Sequence, residues 1–484
     1  MLNNIIKLED ITGFINTSKD TIELSSNDIY DLIDMCGSII NDYVLLHTLS
    51  FSDPHFHNNI KEACFELLSY QFTNLHIVNI DIELNYVIEK AHNIYFSKVA
   101  PQRSFEYTFI RKEPNIEKMT TKINYLRNIP QPDQRTTEWY KYRYNLITAS
   151  NAWKALDSQS SINSLIYEKC KPLNVEKYDS LNTETPFHWG QKYEPLSVIF
   201  YEKNYNTKVE DFGCLQCQKN YFLGASPDGI NVDESSDLYG RMLEVKNIVN
   251  REITGIPKRE YWCQMQIQMG VCNLNECDFL ETRFVEYEDE QAFNDDGTFL
   301  RSNKNEHKGV FMYFIKDRKI TYEYPELYIS EDEFHEWEDK MMDKHHDKMW
   351  VKNLYWRLDQ LSCVLVLRNK LWFDKAVIQF EKVWDIIVKE RIHGFEHRAP
   401  VKREKKLIPL IISQEKSTCL LNANKILQIQ NKDSDDEQDD CVNELHTTEE
   451  VTKPLERSLS IDSSDSETKI IKIRSLSLDE TKLK

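Results

Sequence analysis

No run of 18 apolar residues occurs anywhere in the 484, which excludes a helix long and oily enough to cross a bilayer. Glycine is scarce, at 12 residues, while 40% of the chain is hydrophobic and 11% aromatic, so the composition is that of a globular protein able to bury a sizeable core. The start, MLNNIIKLEDITGF, has acidic residues and neither the basic beginning nor the small-residue cleavage site of a signal peptide, so none is expected. The 11 cysteines are neither dense nor even in number, which points to a reducing compartment and free thiols. Cys214-x-x-Cys217 has no second pair at zinc or iron–sulfur spacing, because Cys263, Cys272 and Cys277 complete no such pattern. A net charge of −19 leaves no general basic surface for nucleic acid, but between Asp433 and Glu450 nine acidic residues occur with no Lys or Arg. That segment supplies about half of the excess, so a local basic cleft elsewhere remains compatible with DNA binding.

What is present is concentrated between Tyr221 and Asn247, YFLGASPDGINVDESSDLYGRMLEVKN. It reads as a strand from Tyr221 to Ala225, a turn at Ser226-Pro-Asp-Gly229, and a second strand around Met242 to Val245. Alternate strand residues share a face, so Glu244 and Lys246 project together while Val245 points into a core. Asp228, at the end of the neighbouring strand, can join Glu244 in a cluster of hard oxygen donors suited to magnesium. Lys246 would then lie beside the ion, where an ammonium positions an attacking water or offsets charge on a phosphate. Taken singly, Ser-Pro-Asp-Gly is a turn and Glu-x-Lys a solvated ion pair; their order and close spacing give the combination its meaning.

Three further blocks accompany it: Trp139-Tyr-Lys-Tyr-Arg143 leading to Ile147-Thr-Ala-Ser150, Trp189-Gly-Gln-Lys-Tyr-Glu194-Pro195, and Tyr261-Trp-Cys-Gln264-Met-Gln266-Ile-Gln268. In this order they resemble the PD-(D/E)xK nuclease superfamily and, within it, the YqaJ-like viral recombinases or lambda-exonuclease-type alkaline exonucleases, over about residues 131 to 290. The resemblance implies an α/β fold with a mixed central sheet flanked by helices. It implies that Glu194, Asp228, Glu244 and the Val245 carbonyl hold magnesium, with manganese as the substitute. Lys246 and a glutamine would serve the attacking water. Tyr261, Gln264 and Gln268 share one helix face and Gln266 does not, which makes Gln264 the choice for that glutamine. By the same resemblance Arg143 and Ser150 hold a 5′-terminal phosphate, and Ser226 and Arg251 complete the pocket. Arg251 lies one residue closer to Glu244 than the family's spacing.

Elsewhere the chain reads as added regions. Residues 1–130 form a helical region, in which Ser26 and Asn27 can cap a helix carrying Ile29, Leu32, Ile33, Cys36, Ile39, Ile40, Val44 and Leu45 at helical spacing. His55 and His57 read as ordinary loop residues there. Ile129-Pro-Gln-Pro132 is an extended linker into a nuclease core over 131–325. Helices are expected from Glu194-Pro195 to Tyr201 and from Glu260 to Val271, and a strand from Glu276 to Glu286. A C-terminal helical extension covers 326–395, opening with Ser330 as cap and including an apolar stretch at Val364 to Leu367. Residues 396–484, with the basic run Lys402-Arg-Glu-Lys-Lys406, the acidic tract and serine clusters, read as a disordered tail.

The sequence thus predicts a metal-dependent deoxyribonuclease acting on linear duplex ends, 5′ to 3′, in viral DNA recombination, repair or genome processing. An intracellular place is expected, in the host cytoplasm or nucleus, away from membranes, with a homo-oligomer and a single-strand annealing protein as candidate partners. A structure-specific endonuclease of the same superfamily and a non-catalytic DNA-binding or virion protein are the alternatives.

Overall fold

The computed structural model describes residues 25–74, 80–106, 115–134, 136–173 and 186–400. The expected tail therefore lies outside the described residues from position 401 on. No helix among the described residues is long and apolar enough to cross a membrane.

The architecture is α/β. Strands are numbered in chain order: β1 (Phe105–Glu106), β2 (Ile147–Thr148), β3 (Val209–Glu210), β4 (Leu215–Gln216), β5 (Leu223–Ala225), β6 (Gly229–Asn231), β7 (Met242–Asn247), β8 (Glu276–Glu286), β9 (His307–Lys316), β10 (Lys319–Glu323) and β11 (Met349–Leu367). The larger sheet has the order β10-β9-β11-β8-β7-β6-β3, with β1 beside β11. Within it β7 and β8 are parallel and the other pairs antiparallel, so the sheet is mixed. A smaller sheet, β2-β5-β4, has β2 and β5 parallel. This is the mixed sheet flanked by helices that the sequence predicts.

β7 shows why the sheet stands where it does. Its sequence, MLEVKN, alternates between two helices. Leu243 and Val245 pack with Tyr201 of the helix Pro186–Tyr205, whereas Met242 faces the cluster that includes Tyr261 and Met265 of the helix Arg259–Cys272. A parallel β7–β8 pair needs a crossover, and the second helix provides it. Gly229, directly after Asp228, permits the close approach of β3: a Cβ there would meet Val209 Cγ1 at 2.0 Å.

The N-terminal helices Ser26–Leu46, Phe56–Asn74 and Asp81–Lys98 pack on one another and behind the helix Arg259–Cys272. Phe51 stacks on Trp262, Trp262 meets Trp372 edge-on at 5.1 Å, and Trp372 Nε1 donates to the Leu49 carbonyl. One buried apolar cluster consequently runs from Cys36 to Ile387. The first helix is capped by Ser25 rather than Ser26 or Asn27, because Asp28 sits at the correct offset to return the capping-box hydrogen bond.

Two local expectations change. His57 lies in the helix Phe56–Asn74, with Nδ1 3.0 Å from His92 Nε2 and Nε2 accepting the Arg103 N–H. Burial first, then His92 and Arg103, pulls its pKa down to about 3, so it is a neutral core imidazole. Residues 349–367, expected within a helical segment, form β11, which lies between β9 and β8. Leu354, Trp356 and Leu358 are buried at every second position, a strand period that the helices Glu331–Lys344 and Lys370–His393 on either side obscure.

Candidate active site

The site forms where β6, β7 and the helix Arg259–Cys272 converge. Glu244 is fully buried, on the face of β7 that looks at this helix. Gln264 Nε2 donates to Glu244 Oε1 at 2.6 Å and Gln268 Nε2 donates to Oε2 at 2.6 Å. Lys246 Nζ stands 2.9 Å from Glu244 Oε1 and 5.1 Å from the centre of the Tyr261 ring. The i, i+3 and i+4 spacing that groups Tyr261, Gln264 and Gln268 therefore places all three around one carboxylate and its lysine. Gln266 looks the other way, donating to the Leu367 carbonyl and accepting the Asn369 N–H.

Asp228 arrives from the opposite side. Its Oδ2 accepts the Val245 N–H at 2.7 Å, which ties the turn after β5 to the centre of β7. Its pKa is pushed well above the usual carboxylate range, by burial first and then by the charges of Glu244 and Glu194; Lys246 and the Val245 N–H act in the other direction. Glu194 is half-buried and lies within the helix Pro186–Tyr205, several residues after its start and next to Pro195. Its neighbours fix that turn: Tyr193 donates to Glu286, Tyr324 to the Lys192 carbonyl, and Asn247 to the Gly190 carbonyl. The charges of Glu244 and Glu194 thus both act on Asp228, and the Lys246 ammonium opposes them. Among the described residues no three His, Cys, Asp or Glu side chains close into a ready-made metal cage.

The expected phosphate residues spread over two neighbouring features. β2 and β5 run side by side in parallel, with Thr148 opposite Gly224, so Ser150 and Ser226 each follow two residues after a paired position. Thr148 caps the short helix Ala149–Ala152 through a reciprocal bond with Asn151. Ser150 Oγ lies 3.4 Å from Thr148 Oγ1, and the Ser226 carbonyl accepts from Gln268 at 3.2 Å. Arg143 lies over the Trp139 ring at 4.5 Å and beside Cys214. Arg251 is on the Lys246 side: it pairs with buried Glu281 and lies 5.5 Å from the Tyr261 ring centre.

Gln268 and Glu281 are the members that sequence reasoning passed over. For Gln268 the i+4 spacing from Gln264 was the available signal. Glu281 faces Lys246 only through the β7–β8 register, which no sequence pattern displays. The cysteines at 214, 217, 263, 272 and 277 are buried and form no disulfide with one another.

Comparison with known proteins gives three likenesses. An uncharacterized protein of Acanthamoeba polyphaga mimivirus is 28% identical over 326 residues, which take in 59% of this chain and 58% of the relative. The chain thus spans a little over half the length of that relative. The crystal structures of an alkaline exonuclease (LHK-Exo) from Laribacter hongkongensis, alone and in complex with dAMP, are each 18% identical. Each covers 54% of this chain and 95% of the exonuclease at a TM-score of 0.30, too low to carry weight. The model of the YqaJ-like viral recombinase domain matches residues 138–275, the stretch that holds Arg143, Glu194, Asp228, Glu244, Lys246 and both site glutamines. Residues 138–275 of this chain are therefore similar to a YqaJ-like viral recombinase domain.

Proposed function

We propose that the chain is a magnesium-dependent DNA exonuclease that hydrolyses phosphodiester bonds of linear duplex from 5′ ends, in viral DNA recombination, repair or genome processing. The observation that carries this reading is Glu244, fully buried yet bonded by Gln264, Gln268 and Lys246, beside an Asp228 whose pKa burial and the charges of Glu244 and Glu194 push up. Burying carboxylates together is costly unless a cation accompanies them. All the donors are hard oxygens, which suits magnesium, with manganese as the substitute.

Asp228, Glu244, Glu194 and the Val245 carbonyl would hold the ion. Bound magnesium supplies Lewis acidity toward the phosphodiester and lowers the pKa of a coordinated water. Lys246, anchored by Glu244 and backed by the Tyr261 ring, directs its ammonium to the same point, where it orients water and offsets charge developing on phosphate. Gln264 keeps Glu244 oriented. Arg143, Ser150 and Ser226, with Arg251 across the site, supply a guanidinium pair and two hydroxyls for a terminal phosphate monoester, which carries more charge than an internal diester. Duplex ends are the partner of this reading, together with a homo-oligomer and a single-strand annealing protein, in the host cytoplasm or nucleus.

The test is to incubate the purified chain with linear and with closed-circular duplex, with and without magnesium. Loss of the linear form alone, only with magnesium, is expected. Nicking of the closed circle would instead favour the endonuclease, and no cleavage of either would leave a DNA-binding protein.

A further inference from the structure

The three glutamines of the helix Arg259–Cys272 are all buried, but they do two different things. Gln266 is spent on structure: both ends of its amide bond the backbone at the β11 exit, Leu367 and Asn369. Gln268, fully buried, uses its amide nitrogen twice, donating to Glu244 Oε2 at 2.6 Å and to the Ser226 carbonyl at 3.2 Å. Ser226 lies two residues before Asp228, and Asp228 in turn accepts the N–H of Val245, next to Glu244. One amide group therefore closes a ring through both carboxylate-bearing segments: Glu244, Gln268, Ser226, Asp228 and Val245. Its carbonyl, Oε1, has no protein partner among the described residues, so the two donated bonds are what hold the side chain. Gln264 touches only the Glu244 half of this ring.

We propose that Gln268 is a positioning residue that sets the separation and orientation of Glu244 relative to Asp228, by bonding Glu244 Oε2 and the Ser226 carbonyl with one amide. The role rests on the reading of this pair as a divalent-cation site. With Gln264 on Oε1 and Gln268 on Oε2, the Glu244 carboxylate cannot rotate without breaking a buried hydrogen bond. Oε1 also faces Lys246 Nζ at 2.9 Å, so Oε2, which Gln268 holds, is the oxygen that keeps a second lone-pair direction for a cation. A merely structural glutamine would instead resemble Gln266.

The test compares Gln268→Met, which keeps length and loses the donors, with Gln266→Met, and measures Mn2+ affinity without DNA together with kcat and KM on linear duplex. Groups that orient metal ligands typically contribute about 10- to 100-fold to affinity or activity. Gln268→Met should weaken Mn2+ binding and lower kcat by that factor, with KM for duplex within about twofold of wild type. Gln266→Met should lower the melting temperature and leave Mn2+ affinity of the folded protein unchanged. A folded Gln268→Met that binds Mn2+ like wild type overturns the proposal, as does a loss of affinity that Gln266→Met reproduces. If Gln268→Met does not fold, Gln268→Asn, which withdraws the amide by one methylene, carries the same comparison. Wild-type protein that takes up no Mn2+ would bring down the underlying reading of the site rather than this inference alone.

Discussion

Two buried acidic clusters lie along β7 and β8 and the segments beside them, and they differ in how their carboxylates are partnered. Near the start of the pair, Asp278 is fully buried but answered in full: Arg241 Nη1 is 3.1 Å from Oδ1, Tyr201 donates to Oδ2 at 2.7 Å, and Asn231 donates to the Tyr201 hydroxyl. Arg241 also reaches Glu276 at 3.0 Å. Asp278 is pushed up only to about 6, by burial first, with Arg241 and Tyr201 opposing the rise. Further along β7 stands Glu244, and Asp228 reaches it from the turn before β6; both have hydrogen bonds, Lys246 stands beside them, and Glu194 is in the vicinity. Hydrogen bonding is alike in the two clusters and the arrangement of charge is not, and the proposed cation site rests on that contrast.

The comparison can be broken first at its structural end. Arg241→Met leaves Asp278 and Glu276 without their guanidinium, and breaking a buried pair from one side costs about 3–5 kcal/mol. A large fall in the denaturation midpoint is expected, with divalent affinity of the folded fraction unchanged. At the other end the effects should exchange. Glu244→Gln and Lys246→Ala should each reduce cleavage of linear duplex about 10²-fold or more in protein that still folds. Turnover above about a tenth of wild type in either variant would remove these residues from the site. Arg143→Ala should have a smaller, selective effect. The wild type should prefer a 5′-phosphate to a 5′-hydroxyl by about tenfold, as one charge-assisted contact allows, and the variant should lose that preference. Equal rates on the two ends in the wild type would count against the phosphate pocket.

The smallest effect is in pH. The folded pKa of Asp228 lies above its ordinary value of 3.8, so its contribution to stability is full below that value and is lost as pH rises through the folded value. A divalent cation binding the ionised form reverses this loss. The rise in melting temperature on adding magnesium should therefore grow with pH, and a magnesium shift that is flat or shrinks with pH would contradict the assignment.

Much of the site was legible in the sequence because it rests on short-range periodicity. The alternation in MLEVKN sets Glu244 and Lys246 together, and the spacing of Tyr261, Gln264 and Gln268 sets three side chains on one face. The strand Glu276–Glu286 is also found where its pattern places it. What depends on long-range pairing was not legible. The partnership of Glu281 with Arg251 follows from a parallel register, and β11 takes its strand form from β8 and β9, which hold it between them. Glu194 was expected at a helix start; the helix begins at Pro186 and takes Pro195 into its interior.

The most direct measurement is a titration of Mn2+ into the DNA-free protein, in the wild type, Glu244→Gln and Arg241→Met. The account predicts binding in the wild type, a loss of about tenfold or more in Glu244→Gln, and unchanged affinity in folded Arg241→Met. Equal binding by the wild type and Glu244→Gln would contradict it.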